Sequence, residues 1–164
     1  MIYQEELNKA LAQKKSNKKL VHKLKSMNQG ELDTLFREEH DAVFEEIDCL
    51  SCANCCKTTS PIFRDVDIKR LSSHLRMPIS DFIDSYLNLD ADGDYVLKSS
   101  PCPFLQEDNK CSVYENRPLA CKEYPHTNRK KMHQILTLTR KNTEICPAVA
   151  KIFSRLKREG GVGG

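Results

Sequence analysis

The chain has 164 residues and a net charge of +3, with 39% hydrophobic and 30% charged residues, which predicts one domain with a modest core plus extensions. No apolar run is long enough to span a membrane, so a membrane protein is not expected. Residues 1–15 lack the apolar stretch and small-residue cleavage site of a secretion signal. We therefore expect a cytoplasmic protein, in a compartment that keeps thiols reduced.

A basic helical extension is predicted for residues 1–30, where Leu7 and Leu11, and then Leu20 and Leu24, recur at i+4 steps. The Lys-rich stretch 14–19 interrupts this apolar stripe, which allows either two helical pieces or one frayed helix. The extension carries seven Lys and two acidic residues. Such a face could dock an unidentified protein partner, although charge blocks of this kind are usually solvated.

A second amphipathic helix is predicted after Gly30, and it runs directly into Cys49. Acidic residues cover one face of this helix, and its apolar residues share the other: Leu32, Leu35, Phe36, Val43 and Ile47. The helix opens the cysteine-cluster domain that we predict over residues 31–158. Residues 159–164, which contain four Gly, are expected to form a flexible tail.

The cysteine-cluster domain is expected to continue with short elements. Two helices are predicted over 63–77 and 78–87, with Ser80 at the N-cap of the second. Short strands are predicted at 95–98, 111–114 and 135–139, with a hairpin turn at 107–110. A last amphipathic helix has Pro147 in its first turn. The expected fold class is mostly α with irregular metal-stapled loops and a small β-hairpin, in a single small domain.

The helix pair over 67–87 also resembles a helix-turn-helix, which would imply a nucleic-acid partner. A DNA-recognition helix needs side chains that contact base edges. The second helix instead carries Asp81 and Asp84, which would repel phosphates. A nucleic-acid partner is therefore not favoured.

Eight cysteines in a reducing compartment predict a ligand set for a soft metal rather than disulfides or free thiols. The first group has two-residue gaps, which let a tight turn direct successive sulfurs to one centre: Cys49, Cys52, Cys55 and Cys56. Adjacent side chains tend to diverge, so Cys55 and Cys56 could face different metals, or one could lie outside the ligand shell. The second group is spread along the chain: Cys102, Cys111, Cys121 and Cys146.

Three arrangements of these thiols stay open: two four-Cys sites, one cluster with spare thiols, or one binuclear site. We favour an iron–sulfur cluster, most simply 4Fe-4S, over zinc, because bridging sulfides spread the charge of the thiolates. Arg117 and Tyr124 could donate hydrogen bonds to the cluster sulfurs and so tune its potential.

The cysteine pattern as a whole resembles that of a known family. It comprises the Cys-x2-Cys-x2-Cys-Cys run, the segments SPCPFL (100–105) and CSVYENRPLAC (111–121), Tyr124-Pro125 and a late Cys-Pro. Together these are similar to the YkgJ-type cysteine-cluster family, described as zinc- or iron-chelating proteins. The resemblance covers residues 49–146 and implies that all eight cysteines are candidate ligands. Ala53 departs from the pattern, since members often have Gly there.

The resemblance implies a metal-binding protein with a redox, metal-handling or scaffold role. One alternative is a structural zinc module that mediates protein interaction. Another is a cluster-dependent modifying enzyme, since the family also resembles the cysteine-rich part of flagellin lysine methylases. The chain shows neither a glycine-rich nucleotide loop nor the C-x3-C-x2-C spacing of radical enzymes. Methylase activity is therefore not carried over, and no catalytic residue is assigned.

Overall fold

The computed structural model describes residues 3–159, and contacts within it divide the chain into two compact units. Unit 1 contains the chain up to Cys52 and again from Pro125 onwards, and unit 2 is the continuous segment Ala53–Tyr124. The predicted tail, 159–164, lies outside the described residues except for Glu159, which ends a helix.

Helices form most of the secondary structure of the described residues. In chain order they are α1 (Gln4–Ala12), α2 (Lys14–Leu24), α3 (Gln29–Phe44), α4 (Cys49–Cys52), α5 (Asn54–Thr58), α6 (Asp65–His74), α7 (Ile79–Tyr86), α8 (Leu119–Glu123), α9 (Leu136–Asn142) and α10 (Pro147–Glu159). The strands are β1 (Leu87–Leu89) and β2 (Tyr95–Leu97), and single 3-10 turns occupy Tyr114–Asn116 and Met132–Gln134.

Unit 1 is a helical unit in which α10 packs against α1 and α3, and α2 packs against α9. Apolar residues at helical spacing supply its core, and these side chains are almost completely buried: Leu20, Leu24, Leu32, Phe36, Val43, Leu136, Ile152, Phe153 and Leu156. Asn28 caps α3, because its side-chain oxygen accepts hydrogen bonds from the N–H groups of Gly30 (2.9 Å) and Glu31 (3.1 Å).

Unit 2 combines α6 and α7 with a two-stranded antiparallel sheet. Leu87 pairs with Leu97, and Leu89 pairs with Tyr95. The intervening turn is held by Asp90, whose carboxylate accepts from the N–H groups of Asp92 and Asp94 at 2.9 Å. A cluster of buried side chains forms its core: Phe63, Ile68, Leu71, Phe82, Leu87, Leu97, Phe104 and Val113.

The predicted fold class, mostly α with a small β-hairpin, is confirmed. No helix among residues 3–159 has the length and apolar character needed to cross a membrane.

Several local predictions were wrong in detail. The strand predicted at 135–139 is largely helix α9, because Leu136 and Thr139 are both buried at i, i+3 spacing and the alternation of apolar residues there is incidental. The strand predicted at 111–114 is reduced to a single bridge between Leu105 and Cys111. Ser80 is not the N-cap of α7, which follows Pro78 directly.

The N-terminal extension forms two helices, which was one of the two alternatives predicted, but the break between them lies at Gln13. The Lys-rich stretch 14–19 is therefore inside α2 and not a break. Leu87, which the sequence placed at the end of a helix, instead begins β1, since the segment Leu87–Leu89 pairs with Tyr95–Leu97.

Replacing Phe82 with Ala should destabilise unit 2 by about 3–5 kcal/mol, because a fully buried ring would be lost from the centre of its core. The ring of Phe82 lies 5.2 Å from Tyr86 and stacks on Phe104 at 6.3 Å, between ring centroids. Urea unfolding followed by tyrosine fluorescence measures this, because the chain has no Trp and four of its five Tyr lie in unit 2.

Ile79→Ala is the matched control, because Ile79 lies on the same helix and is 46% exposed. An equal loss of stability in the two variants would show that Phe82 is not part of a packed core.

Candidate metal centre

Cys56, at the middle of α5, is joined to Cys102 through the backbone. The N–H of Cys102 donates to the carbonyl of Cys56 at 2.8 Å. Although these residues are distant in sequence, this bond places the two cysteines next to each other within unit 2. Cys55, the neighbour of Cys56 in α5, is also half-buried and lies in unit 2, and its interaction with the thiol of Cys56 raises the pKa of Cys56.

A short hairpin-like turn brings Cys111 back towards Cys102. The N–H of Leu105 donates to the carbonyl of Cys102 at 3.1 Å, and Gln106 N–H donates to Lys110 at 2.8 Å. Leu105 also forms the bridge with Cys111. The predicted turn at 107–110 is thus present, and it acts to return the chain to the cysteines. Cys102 and Cys111 both pack against the apolar core of unit 2.

Cys121 is the fourth thiol of this neighbourhood and lies on α8. We call Cys56, Cys102, Cys111 and Cys121 the four-thiol group. All four are half-buried. Burial, together with smaller contributions from the charges of the other three thiols, raises the pKa of Cys121 to about 12. Burial likewise raises the pKa of Cys102 and Cys111, with a contribution from Cys56 in both cases. Mutual electrostatic influence of this kind requires the thiols to lie close together.

Three further cysteines belong to unit 1, and we call them the three-thiol group: Cys49, Cys52 and Cys146. Cys49 and Cys52 lie at the two ends of α4, which Asp48 caps by accepting from Leu50 N–H (3.0 Å). Cys146 is buried, and burial raises its pKa to about 12, with smaller contributions from the charges of Cys49 and Cys52. Unit 1 thus supplies three sulfur donors of its own.

The predicted candidate ligands are therefore divided between the two units in a way that the spacing of the cysteines in the sequence did not indicate. Cys146 lies with Cys49 and Cys52 in unit 1, whereas Cys56 lies with the cysteines of 102–121 in unit 2. Within residues 3–159, no three side chains of His, Cys, Asp or Glu adopt the close arrangement of a formed metal-ion shell. The thiols are thus grouped here by the compact unit in which they lie and by their electrostatic effect on one another's pKa.

Arg117 is the cation associated with the four-thiol group. Its charge opposes the rise in the pKa of Cys111 and Cys121 that burial produces. The guanidinium donates to the carbonyl of Tyr114 at 2.7 Å and lies 3.8 Å from the centre of the Tyr114 ring. Tyr124, the other residue predicted to contact a cofactor, is half-buried and its N–H closes α8 by donating to Ala120 at 3.1 Å.

Sequence reasoning missed a buried ion network beside the site. Asp67 of α6 is 0% exposed, and its carboxylate lies 3.0 Å from Arg64 and 2.9 Å from Arg70. Burial alone would raise the pKa of Asp67. Hydrogen bonds from Arg64, Arg70 and the N–H of Leu119 outweigh burial and hold that pKa well below its usual range. The sequence signal was the spacing Arg-x2-Asp-x2-Arg, which places all three residues on one helix face.

Residues 48–147, well over half of the chain, match the model of the CxxCxxCC family, described as "Putative zinc- or iron-chelating domain". The chain belongs to this family. The resemblance inferred from the cysteine pattern is thereby confirmed, and the matched range contains all eight cysteines. No curated protein and no solved structure matches the chain.

The residues of the four-thiol group fit the metals that the CxxCxxCC description names. Every donor is a sulfur atom, and thiolates are the ligands that zinc and iron–sulfur centres prefer. The raised pKa values of Cys102, Cys111 and Cys121 mean that the thiols are protonated without a metal at neutral pH. A bound metal would displace these protons, and its positive charge would offset the repulsion among the thiolates.

Asp67→Asn should lower the stability of unit 2 by roughly 2–4 kcal/mol at pH 7, because Arg64 and Arg70 would lose their buried partner. The pKa of Asp67 is lower in the folded protein than in the unfolded chain. The stabilisation from its carboxylate is therefore present above the unfolded pKa and is lost as the pH falls through the folded pKa. The difference in the free energy of unfolding between the wild type and the variant should accordingly narrow by roughly 1.4 kcal/mol per pH unit below about pH 4.

Urea unfolding at several pH values between about 2 and 7 measures this gap. Asp65→Asn is the control, because it removes the same charge from the exposed first turn of α6. A gap between the Asp67→Asn variant and the wild type that stays constant down to pH 2 would contradict the assignment of a depressed pKa to Asp67.

Proposed function

We propose that this chain is a metal-binding protein whose four-thiol group holds an iron–sulfur cluster of the 4Fe-4S type. The observation that carries the proposal is the convergence of four thiols from three separated segments of unit 2: α5, the 102–111 turn and α8. The charges of Cys56, Cys102 and Cys111 each contribute to the raised pKa of Cys121, which supports the assignment of these four thiols to one centre. The three-thiol group of unit 1 supplies one donor fewer, so we assign the principal centre to unit 2.

Charge favours a cluster over a single zinc ion. Four thiolates around one divalent ion leave a formal charge of −2 concentrated at that ion, and Arg117 is the cation that acts on the thiols of Cys111 and Cys121. A cluster distributes the same charge over several irons and bridging sulfides. The electrostatic demand on the surrounding residues is correspondingly smaller.

The half-buried position of the four-thiol group supports a redox role. An iron–sulfur cluster supplies one-electron transfer when it is bound. Apolar residues of unit 2, among them Phe104 and Val113, lie beneath Cys102 and Cys111 and limit the access of water from that side. The partial exposure of the thiols leaves the other side accessible to an electron donor or acceptor. Arg117 would raise the potential of a centre held at these thiols, because a nearby positive charge favours the reduced state.

Protein purified without air should be brown, with broad absorbance at about 400 nm and matched amounts of iron and acid-labile sulfide. Elemental analysis alongside the absorption spectrum makes the measurement. A colourless protein that contains stoichiometric zinc and no sulfide would overturn the cluster proposal. It would establish a zinc centre instead.

Replacing Cys121 or Cys102 with Ser should remove most of the iron held by unit 2, because each substitution deletes one sulfur donor of the four-thiol group. Cys49→Ser is a chemically matched control, since it removes a thiol from unit 1. The control should keep the absorbance of the unit 2 cluster. Iron and sulfide per chain are measured for all three variants. Loss of all iron from Cys49→Ser together with retention in Cys121→Ser would show that the assignment to unit 2 is wrong.

A further inference from the structure

Two charged side chains of α6 hold the backbone that leads into α8. Arg70 donates from Nε to the carbonyl of Asn116 (3.2 Å) and from Nη2 to the carbonyl of Arg117 (2.9 Å). The carboxylate of Asp67 accepts from the N–H of Leu119 at 3.3 Å. Three backbone groups within four consecutive residues are therefore bound to a single ion pair.

The segment 116–119 determines where Cys121 lies. Helix α8 has only five residues, and it follows Pro118, which provides no side-chain cap. Asp67 supplies the missing acceptor for Leu119, the first residue of α8. The N–H of Cys121 donates to the carbonyl of Pro118 at 2.9 Å, within the first turn of the helix. A shift of this segment would move the thiol of Cys121 with it.

The two oxygens of Asp67 share Arg64 but differ in their other partners. Oδ2 accepts from the N–H and the Nε of Arg64, both at 3.0 Å, and these bonds cap the N-terminus of α6 itself. Oδ1 accepts from Nη2 of Arg64 (3.0 Å), from Nη2 of Arg70 (2.9 Å) and from the N–H of Leu119. Oδ1 therefore links α6 to the segment that precedes Cys121.

An arginine suits this position for a physical reason. Its planar guanidinium presents several donors in a fixed geometry, so Arg70 can bind two successive carbonyls and a carboxylate at once. Apolar packing could bury the same volume at less cost, since ion pairs must first lose their hydration. What the ion pair adds is a defined conformation of the backbone that it binds.

We propose that Asp67 and Arg70 are positioning residues of the metal centre, which hold the segment 116–119 in the conformation that directs Cys121 towards the other three thiols. This inference rests on the proposed metal centre of unit 2. The inference assigns a function to two residues that have no sulfur ligand for a soft metal and that lie well before Cys121 in the sequence.

Arg70→Met tests the proposal, because Met retains an apolar stem of similar length and removes every donor. Lys69→Met is the matched control on the exposed neighbouring position of α6. The probe is Zn²⁺ added to metal-free protein, and the readout is the alkylation of Cys121 by iodoacetamide, followed by peptide mass spectrometry. Zn²⁺ should protect Cys121 in the wild type and in Lys69→Met. In Arg70→Met, half-protection should need at least about tenfold more Zn²⁺.

Arg70→Lys provides a second variant that retains the charge. A lysine can keep the ion pair with Asp67 but cannot bind both carbonyls in the same fixed geometry, so its half-protection concentration should lie between those of the wild type and Arg70→Met. Far-UV circular dichroism checks that each variant is folded. If Arg70→Met does not fold, the comparison of Arg70→Lys with Lys69→Met decides the question.

If folded Arg70→Met and Lys69→Met need the same Zn²⁺ concentration for half-protection of Cys121, the proposal is overturned, because the ion pair would then be a stabilising feature only. If Arg70→Met does not fold, equal concentrations for Arg70→Lys and Lys69→Met overturn it. The absence of any metal centre in unit 2 is distinguishable from this outcome. In that case Zn²⁺ would leave Cys121 of the wild type unprotected, and the purified protein would contain neither iron nor zinc.

Discussion

The thiols of Cys56, Cys102, Cys111 and Cys121 are half-buried in unit 2 and act on one another electrostatically, which is a cost that the rest of unit 2 must offset. Burial and the neighbouring sulfurs both disfavour ionisation of Cys121, whose pKa is raised to about 12. Two different supports oppose this cost. An apolar cluster centred on Phe82 lies beneath Cys102 and Cys111, and a buried ion network holds the segment before Cys121. A metal would add the third support, since its charge neutralises the sulfurs directly.

The two supports differ in what they can specify. Apolar packing tolerates small displacements of its members, because contact energy varies smoothly with position. The bonds from Asp67 and Arg70 to three backbone groups are directional, and a displacement breaks them. A metal centre needs its ligands at defined places. Cys121 lies on the five-residue helix α8, and this candidate ligand is the one whose preceding segment is bound by charged side chains.

Much of the helical structure could be predicted from the sequence, and the reasons for success and failure are physical. The i+4 spacing of Leu20 and Leu24 reports a buried helix face directly. The alternation of apolar residues at 135–139 led to a wrong prediction of a strand. A short apolar run fits both the strand period and the helix period, and tertiary packing decides between them. The eight candidate ligands were recognisable as a set. Their division was not, because it depends on the path of the chain between residues 121 and 146, about which cysteine spacing says nothing.

The order of the segments along the chain has a consequence for biosynthesis. Unit 2 is continuous, whereas unit 1 needs α10, which follows unit 2 in the chain, to pack against α1 and α3. All four members of the four-thiol group are therefore synthesised before the residues that complete unit 1. At about 5–20 residues per second, the ribosome takes several seconds to add residues 125–159, which include α10. During that interval the thiols of unit 2 are already part of the nascent chain. A metal held by these thiols would have to be delivered early, or the thiols would need protection from oxidation.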